Sequence, residues 1–126
     1  MCGFLVYKDQ GNNFYIQKRG QDHTSQVQRG GFTFIHNLLH VTGEFTPQPY
    51  EHDPPIGEAG GIVVVYNGEI YNHKFINSDG ENLIPLYQKY GLDFPKYLDG
   101  EWAIALYDFN KHLAVFATDL FATKPI

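Results

Sequence analysis

Short apolar runs separated by turn signals organise the chain. Cys2–Lys8 (CGFLVYK) predicts a strand that starts almost at the terminus. After the turn signal DQGNN, the stretch NFYIQKR predicts a second strand, the two pairing as a hairpin. Gly20–Gly31 (GQDHTSQVQRGG) is polar and glycine-flanked and predicts a loop. Phe32–Val41 (FTFIHNLLHV) is apolar and fits strand or helix, its start favouring strand. Residues 42–61, with Pro47, Pro49, Pro54 and Pro55, predict a long exposed connection. Gly61–Tyr66 (GIVVVY) is a β-branched strand that meets Asn67-Gly68 and then a second run with Ile70 and Tyr71. Asn-Gly between two such runs is the strongest short hairpin signal, so a tight turn is predicted there.

Ser78–Gly91 (SDGENLIPLYQKYG) carries the marks of a helix. Ser78 or Asp79 is placed to cap it, and Leu83, Leu86, Tyr87 and Tyr90 share one face. Pro85 fits only in the first turn, and Gly91 supplies a stop. DFPKYLDG predicts a short second helix. Glu101–Asp119 predicts a strand, a turn at Asp108–Lys111 and another strand. Strands, then helices, then strands imply an α+β fold with antiparallel sheet rather than a doubly wound parallel one.

Composition bounds the function. One domain, 1–126, fits this length, and 43% hydrophobic with 16% aromatic residues suffices for a real core. The net charge of −5 offers no basic face to nucleic acid or anionic membrane. No apolar run approaches the ~20 residues of a membrane span. Met1-Cys2-Gly3 leads straight into a strand-like FLVY, so no leader is expected. The single cysteine excludes an internal disulfide and fits a reducing, cytoplasmic compartment.

Several residues are candidates for chemistry. Loss of Met1 would leave Cys2 with a thiol nucleophile and an α-amine base of pKa about 8 on one residue. The bland reading of Cys2 is a small core residue at a strand start. His36-Asn37-Leu38-Leu39-His40 has the spacing of a zinc motif, but Asn37 stands where the catalytic Glu belongs and no third ligand is obvious; no metal is expected. Asp22, His23 and Ser25 have triad residue types, yet triads are built in space, not from neighbours. GEAGG precedes a strand rather than opening a helix, so it is no phosphate cradle. Asp79 at a helix start suits either a cap or the ammonium group of an amino acid.

Together these pieces resemble one family. Met1-Cys2-Gly3 at the start, N-G-E-I-Y-N-H from Asn67, S-D-G-E from Ser78 and D-G-E-W-A-I-A-L-Y-D from Asp99 resemble the glutaminase domain of asparagine synthetase, a class II glutamine amidotransferase. Members of that family are N-terminal-nucleophile hydrolases. Arg29-Gly30, Gln48-Pro49 and the closing Asp119, Lys124 and Pro125 resemble further family elements. The resemblance implies an N-terminal-nucleophile sandwich of two antiparallel sheets between helical layers, truncated at its C-terminal end. It implies that Cys2 attacks the glutamine amide, that the Asn67 amide and Gly68 N–H form the oxyanion hole, and that Asp79 holds the substrate ammonium. Glu69, Arg29 and Gly30 are the remaining substrate-side residues it implies, and it calls for no cofactor.

This chain departs from the family pattern in places. The arginine that grips the substrate carboxylate in the family falls at Leu38, which makes no such pair. Either another cation serves, with Arg29 or His40 as candidates, or glutamine binds poorly. Thr118 and Ala122 replace the family's Arg and Gly, and the chain stops at Ile126. The expected activity is release of glutamate and ammonia from glutamine. The alternatives are a non-catalytic binding or structural relative, or a hydrolase of a different amide. The expected partners are glutamine or a similar small amide, a separate ammonia-accepting synthetase subunit, and a second copy pairing through an exposed sheet edge.

Overall fold

A computed structural model describes residues 1–9, 11–41 and 43–126. Two antiparallel sheets face each other. The first has the order β1 (Gly3–Lys8), β3 (Phe32–Leu38), β2 (His23–Arg29), with β3 in the middle. The second has the order β4 (Tyr50–His52), β5 (Ile62–Ile70), β6 (Gly100–Asp108), β7 (Leu113–Thr118). The chain is thus α+β with two antiparallel sheets, as its sequence predicts.

β5 is the hub, and its alternating residues serve two cores. Ile62, Val64 and Tyr66 pack with Leu83, Tyr87 and Phe94 from the helical segment, while Val63 and Val65 pack with Phe34, Phe4 and Val6 of the other sheet. A strand covered on both faces reads as a continuous apolar run, which is why GIVVVY shows no alternation. The helical segment is a 3₁₀ turn (Asp79–Asn82), helix α1 (Leu83–Tyr90) and a second 3₁₀ stretch (Gly91–Tyr97). Pro85 falls in the first turn of α1, where its missing N–H costs nothing. Gly91, at φ 59°, ends the helix.

Four local expectations are corrected. NFYIQKR is not a strand: residues 13–19 form successive turns, with Gln17 N–H donating to Asn13 O at 2.9 Å. The Asn12 side chain accepts the Phe14 N–H at 3.1 Å, the local competition with ladder bonding that asparagine offers. β1 therefore pairs with β3, not with this stretch. The loop expected at Gly20–Gly31 is instead β2, a polar edge strand none of whose residues is fully buried.

The third correction concerns Asn67-Gly68. It is no turn but the interior of β5, with Asn67 opposite Ala103 and Gly68 opposite Trp102. Such a two-residue turn needs positive φ at both positions, and Asn67 lacks it. A full-length partner in β6 overrides the dipeptide's local preference. Fourth, neither Ser78 nor Asp79 caps the helix through its side chain; the Asp79 carboxylate reaches back to β5 instead. No helix is long and apolar enough to cross a membrane.

Candidate active site

The ends of β1, β3 and β5 and the start of the helical segment enclose a cavity of about 290 Å³. Cys2, just ahead of β1, lies on its wall beside Leu39, whose N–H donates to the Cys2 Sγ at 3.3 Å. The cross-sheet packing of β1 against β5 brings Asn67, Gly68 and Glu69 to the same cavity.

Asn67 is only 6% exposed and lines the cavity wall. Gly68 sits at φ 146°, and a Cβ there would overlap the Glu101 carbonyl oxygen. The position tolerates only glycine, which brings this backbone close to β6.

Asp79 borders the cavity from the 3₁₀ turn. Ile70 N–H donates to its Oδ2 at 2.7 Å, and the Tyr66 hydroxyl donates to Oδ1. Burial first, and the Asp79 carboxylate second, push the Tyr66 phenol well above its ordinary pKa, so it stays a donor. Tyr50 donates to Ser78 Oγ at 2.9 Å, and burial pushes its pKa up to about 12. Two neutral phenols thus fix the segment that presents the carboxylate. Gln48 supports the same wall from below, its Oε1 accepting the Tyr66 N–H at 2.7 Å.

Two expected residues lie elsewhere. Arg29 Nη2 pairs with Asp53 Oδ1 at 2.5 Å and Glu51 Oε1 at 3.2 Å. With Gly30 it lines a separate depression alongside Asp9 and Gly31. Two acids on the β4 segment hold the guanidinium, so it does not join Cys2. Asp22, His23 and Ser25 also form no triad: Asp22 accepts the His40 N–H at 2.7 Å, and the Ser25 hydroxyl donates to Gln48 O.

The two histidines of the His36–His40 stretch are unlike each other. His36 is fully buried between the sheets, and His40 is exposed. His36 lies within β3 and His40 past its end. Among the described residues no cluster of three or more His, Cys, Asp or Glu side chains is placed to hold a metal.

Glu44, Glu101 and Lys124 complete the charged lining of the cavity. Sequence reasoning passed over Glu44 and Glu101. The register of β5 on β6, which sets Glu101 opposite Glu69, is the signal that finds Glu101, and it cannot be read while Asn67-Gly68 is taken for a turn.

Residues 11–126 match the glutamine amidotransferase domain family. The chain is 34% identical to asparagine synthetase (glutamine-hydrolyzing) 1 of Saccharomyces cerevisiae over 94% of its own length and 24% of that protein. It is 31% identical to asparagine synthetase (glutamine-hydrolyzing) of Asparagus officinalis over 88% of its length and 20% of that protein. Amidase chry2 of Gibberella zeae is 38% identical over 62% of this chain and 13% of its own length. The chain thus spans no more than about a quarter of these relatives. With this sequence match and two antiparallel sheets that bring Cys2, Asn67 and Asp79 to one cavity, the chain belongs to the glutamine amidotransferase domain family.

Proposed function

We propose that this domain hydrolyses the side-chain amide of glutamine to glutamate and ammonia, with Cys2 as the nucleophile. The observation that carries the reading is the shared cavity, whose wall takes in Cys2, Asn67, Gly68 and Asp79 from separate stretches of the chain. Removal of Met1 frees the Cys2 α-amine. The thiol proton passes to that amine as Sγ bonds the amide carbon, and the carbonyl electrons move onto oxygen. Asn67 and the Gly68 N–H stabilise that oxyanion, the role worth most in acyl transfer. The amine then gives its proton to the leaving nitrogen, ammonia departs, and water cleaves the thioester to glutamate and free thiol. Asp79 takes the substrate ammonium. A thiol that must remain reduced fits a cytoplasmic setting.

The ammonia serves a synthetase-type acceptor on a separate subunit. Support comes from relatives named as glutamine-hydrolyzing asparagine synthetases. The outer edge of β7 carries no partner strand among the described residues, which suits pairing with a second copy. A glutamine-shaped diazo ketone tests the nucleophile. It should label Cys2 stoichiometrically in protein lacking Met1 and leave Cys2→Ala unlabelled. A processed protein that stays unlabelled overturns the assignment.

Leu38 favours a second reading. It is 8% exposed on the cavity wall and supplies no charge for a substrate carboxylate. A different amide, without that carboxylate, would suit such a wall.

A further inference from the structure

An amino acid bound by its ammonium at Asp79 still needs a cation for its carboxylate. Leu38 is apolar, and Arg29 is held by Glu51 and Asp53 outside the cavity. His40 borders the cavity, but its Nε2 lies 3.0 Å from the Gly43 carbonyl and its ring stands edge-on to Phe45. Lys124 remains, the one lysine or arginine among the described residues that line the cavity.

Lys124 is delivered there by a built turn. The Asp119 carboxylate accepts N–H bonds from Trp102 at 3.0 Å, Phe121 at 2.9 Å and Thr123 at 3.2 Å, and also the Thr123 hydroxyl. Those bonds, the Thr123 hydroxyl first, hold the Asp119 carboxyl below its usual range. They tie residues 119–123 to β6, so the residue that follows has a fixed base. The Lys124 side chain is only 21% exposed, and its sole ion pair among the described residues is a long one, 3.5 Å to Glu101 Oε2 on a half-exposed side chain. Such a pair is worth little and exchanges readily. A substrate carboxylate, held at Asp79 by its own ammonium, offers Lys124 a charge-assisted bond at normal length in place of this long one.

We propose that Lys124 binds the α-carboxylate of the substrate, in place of a cation at position 38, and so makes the cavity specific for a free α-amino acid amide. This rests on the hydrolysis reading above. The bland role for Lys124 is to relieve the like charges of Glu69 and Glu101, which face each other across β5 and β6.

The two roles separate on substrate. KM for L-glutamine and for 4-aminobutanamide, which is glutamine without its carboxylate, should be measured in the parent and in Lys124→Ala. Loss of a charge-assisted bond predicts a rise of roughly 10- to 100-fold in KM for glutamine. It predicts almost no change for 4-aminobutanamide, and Lys124→Arg should restore glutamine binding. Glu101→Gln, which frees the ammonium, should lower KM for glutamine. Equal changes for both substrates, or none for glutamine, overturn the proposal while leaving hydrolysis intact. If the processed parent hydrolyses neither amide, the hydrolysis reading fails. Calorimetric binding of L-glutamine to parent and Lys124→Ala then decides: weaker binding in the variant supports the carboxylate contact, and equal binding overturns it.

Discussion

His36 predicts how this domain responds to acid. It lies in the middle of β3 with no exposed surface, and neither ring nitrogen has a hydrogen-bond partner among the described residues. Desolvation lowers its pKa from 6.5 to about 4; the nearby Tyr66 main chain only partly opposes this. The sign follows from proton uptake. Below pH 6.5 the unfolded chain binds a proton that the folded one refuses until about pH 4, so stability falls through that window as pH falls. At about 1.36 kcal/mol per pH unit, the loss nears 3 kcal/mol by about pH 4. That is a large share of the stability of an ordinary domain. Paired carboxylates such as Asp119 also weaken in acid, so the comparison must isolate the histidine. His36→Leu is close in volume and cannot titrate. Urea unfolding should be followed at about pH 7 and about pH 4, where His36→Leu should gain roughly 3 kcal/mol on the parent. A gap that does not change with pH would refute the reasoning, because a neutral, unpartnered buried imidazole must resist its proton.

Other substitutions test the site. Asn67→Asp keeps the shape but sets an anion where the oxyanion forms, so kcat should fall at least ~10²-fold; a folded variant with full activity removes Asn67 from the oxyanion hole. Gly68→Ala drives a Cβ into the Glu101 carbonyl at a φ of 146°. Thermal or urea unfolding should show a loss of ~1–3 kcal/mol, and an unchanged midpoint would contradict the close β5–β6 approach. Asp79→Asn removes the negative charge, keeps an oxygen for the Ile70 N–H and offers an NH2 to the Tyr66 hydroxyl, which can accept from it, so KM for glutamine should rise about 10-fold or more with modest change in kcat. An unchanged KM rejects the ammonium contact.

The sequence carried the fold class because the strand runs of β1, β3, β6 and β7 and the one-sided helix at Leu83–Tyr90 are local signals. It misjudged what partners decide. β2 reads as loop because its residues, HTSQVQR, offer almost no apolar face, and its existence depends on β3 beside it. Asn67-Gly68 reads as a turn because the dipeptide's preference is local, while β6, more than thirty positions on, is what extends β5 through it. The motifs around Cys2, Asn67 and Asp79 are legible, since the family spacing is preserved, and the fold brings all three to one cavity. Arg29 is a failure of the same kind as β2. Nothing near it in sequence shows that Glu51 and Asp53 will hold its guanidinium. Lys124 depends on the Asp119 turn, which only the bonds to Trp102 and Thr123 reveal.

The central claim is that Cys2 turns over the glutamine amide. Glutamate release from L-glutamine should be measured with protein shown by intact mass to lack Met1, beside Cys2→Ala. The account predicts glutamate and ammonia in equal amounts from the parent and nothing above background from the variant. Release that survives in Cys2→Ala, or no release from a processed and folded parent, would contradict it.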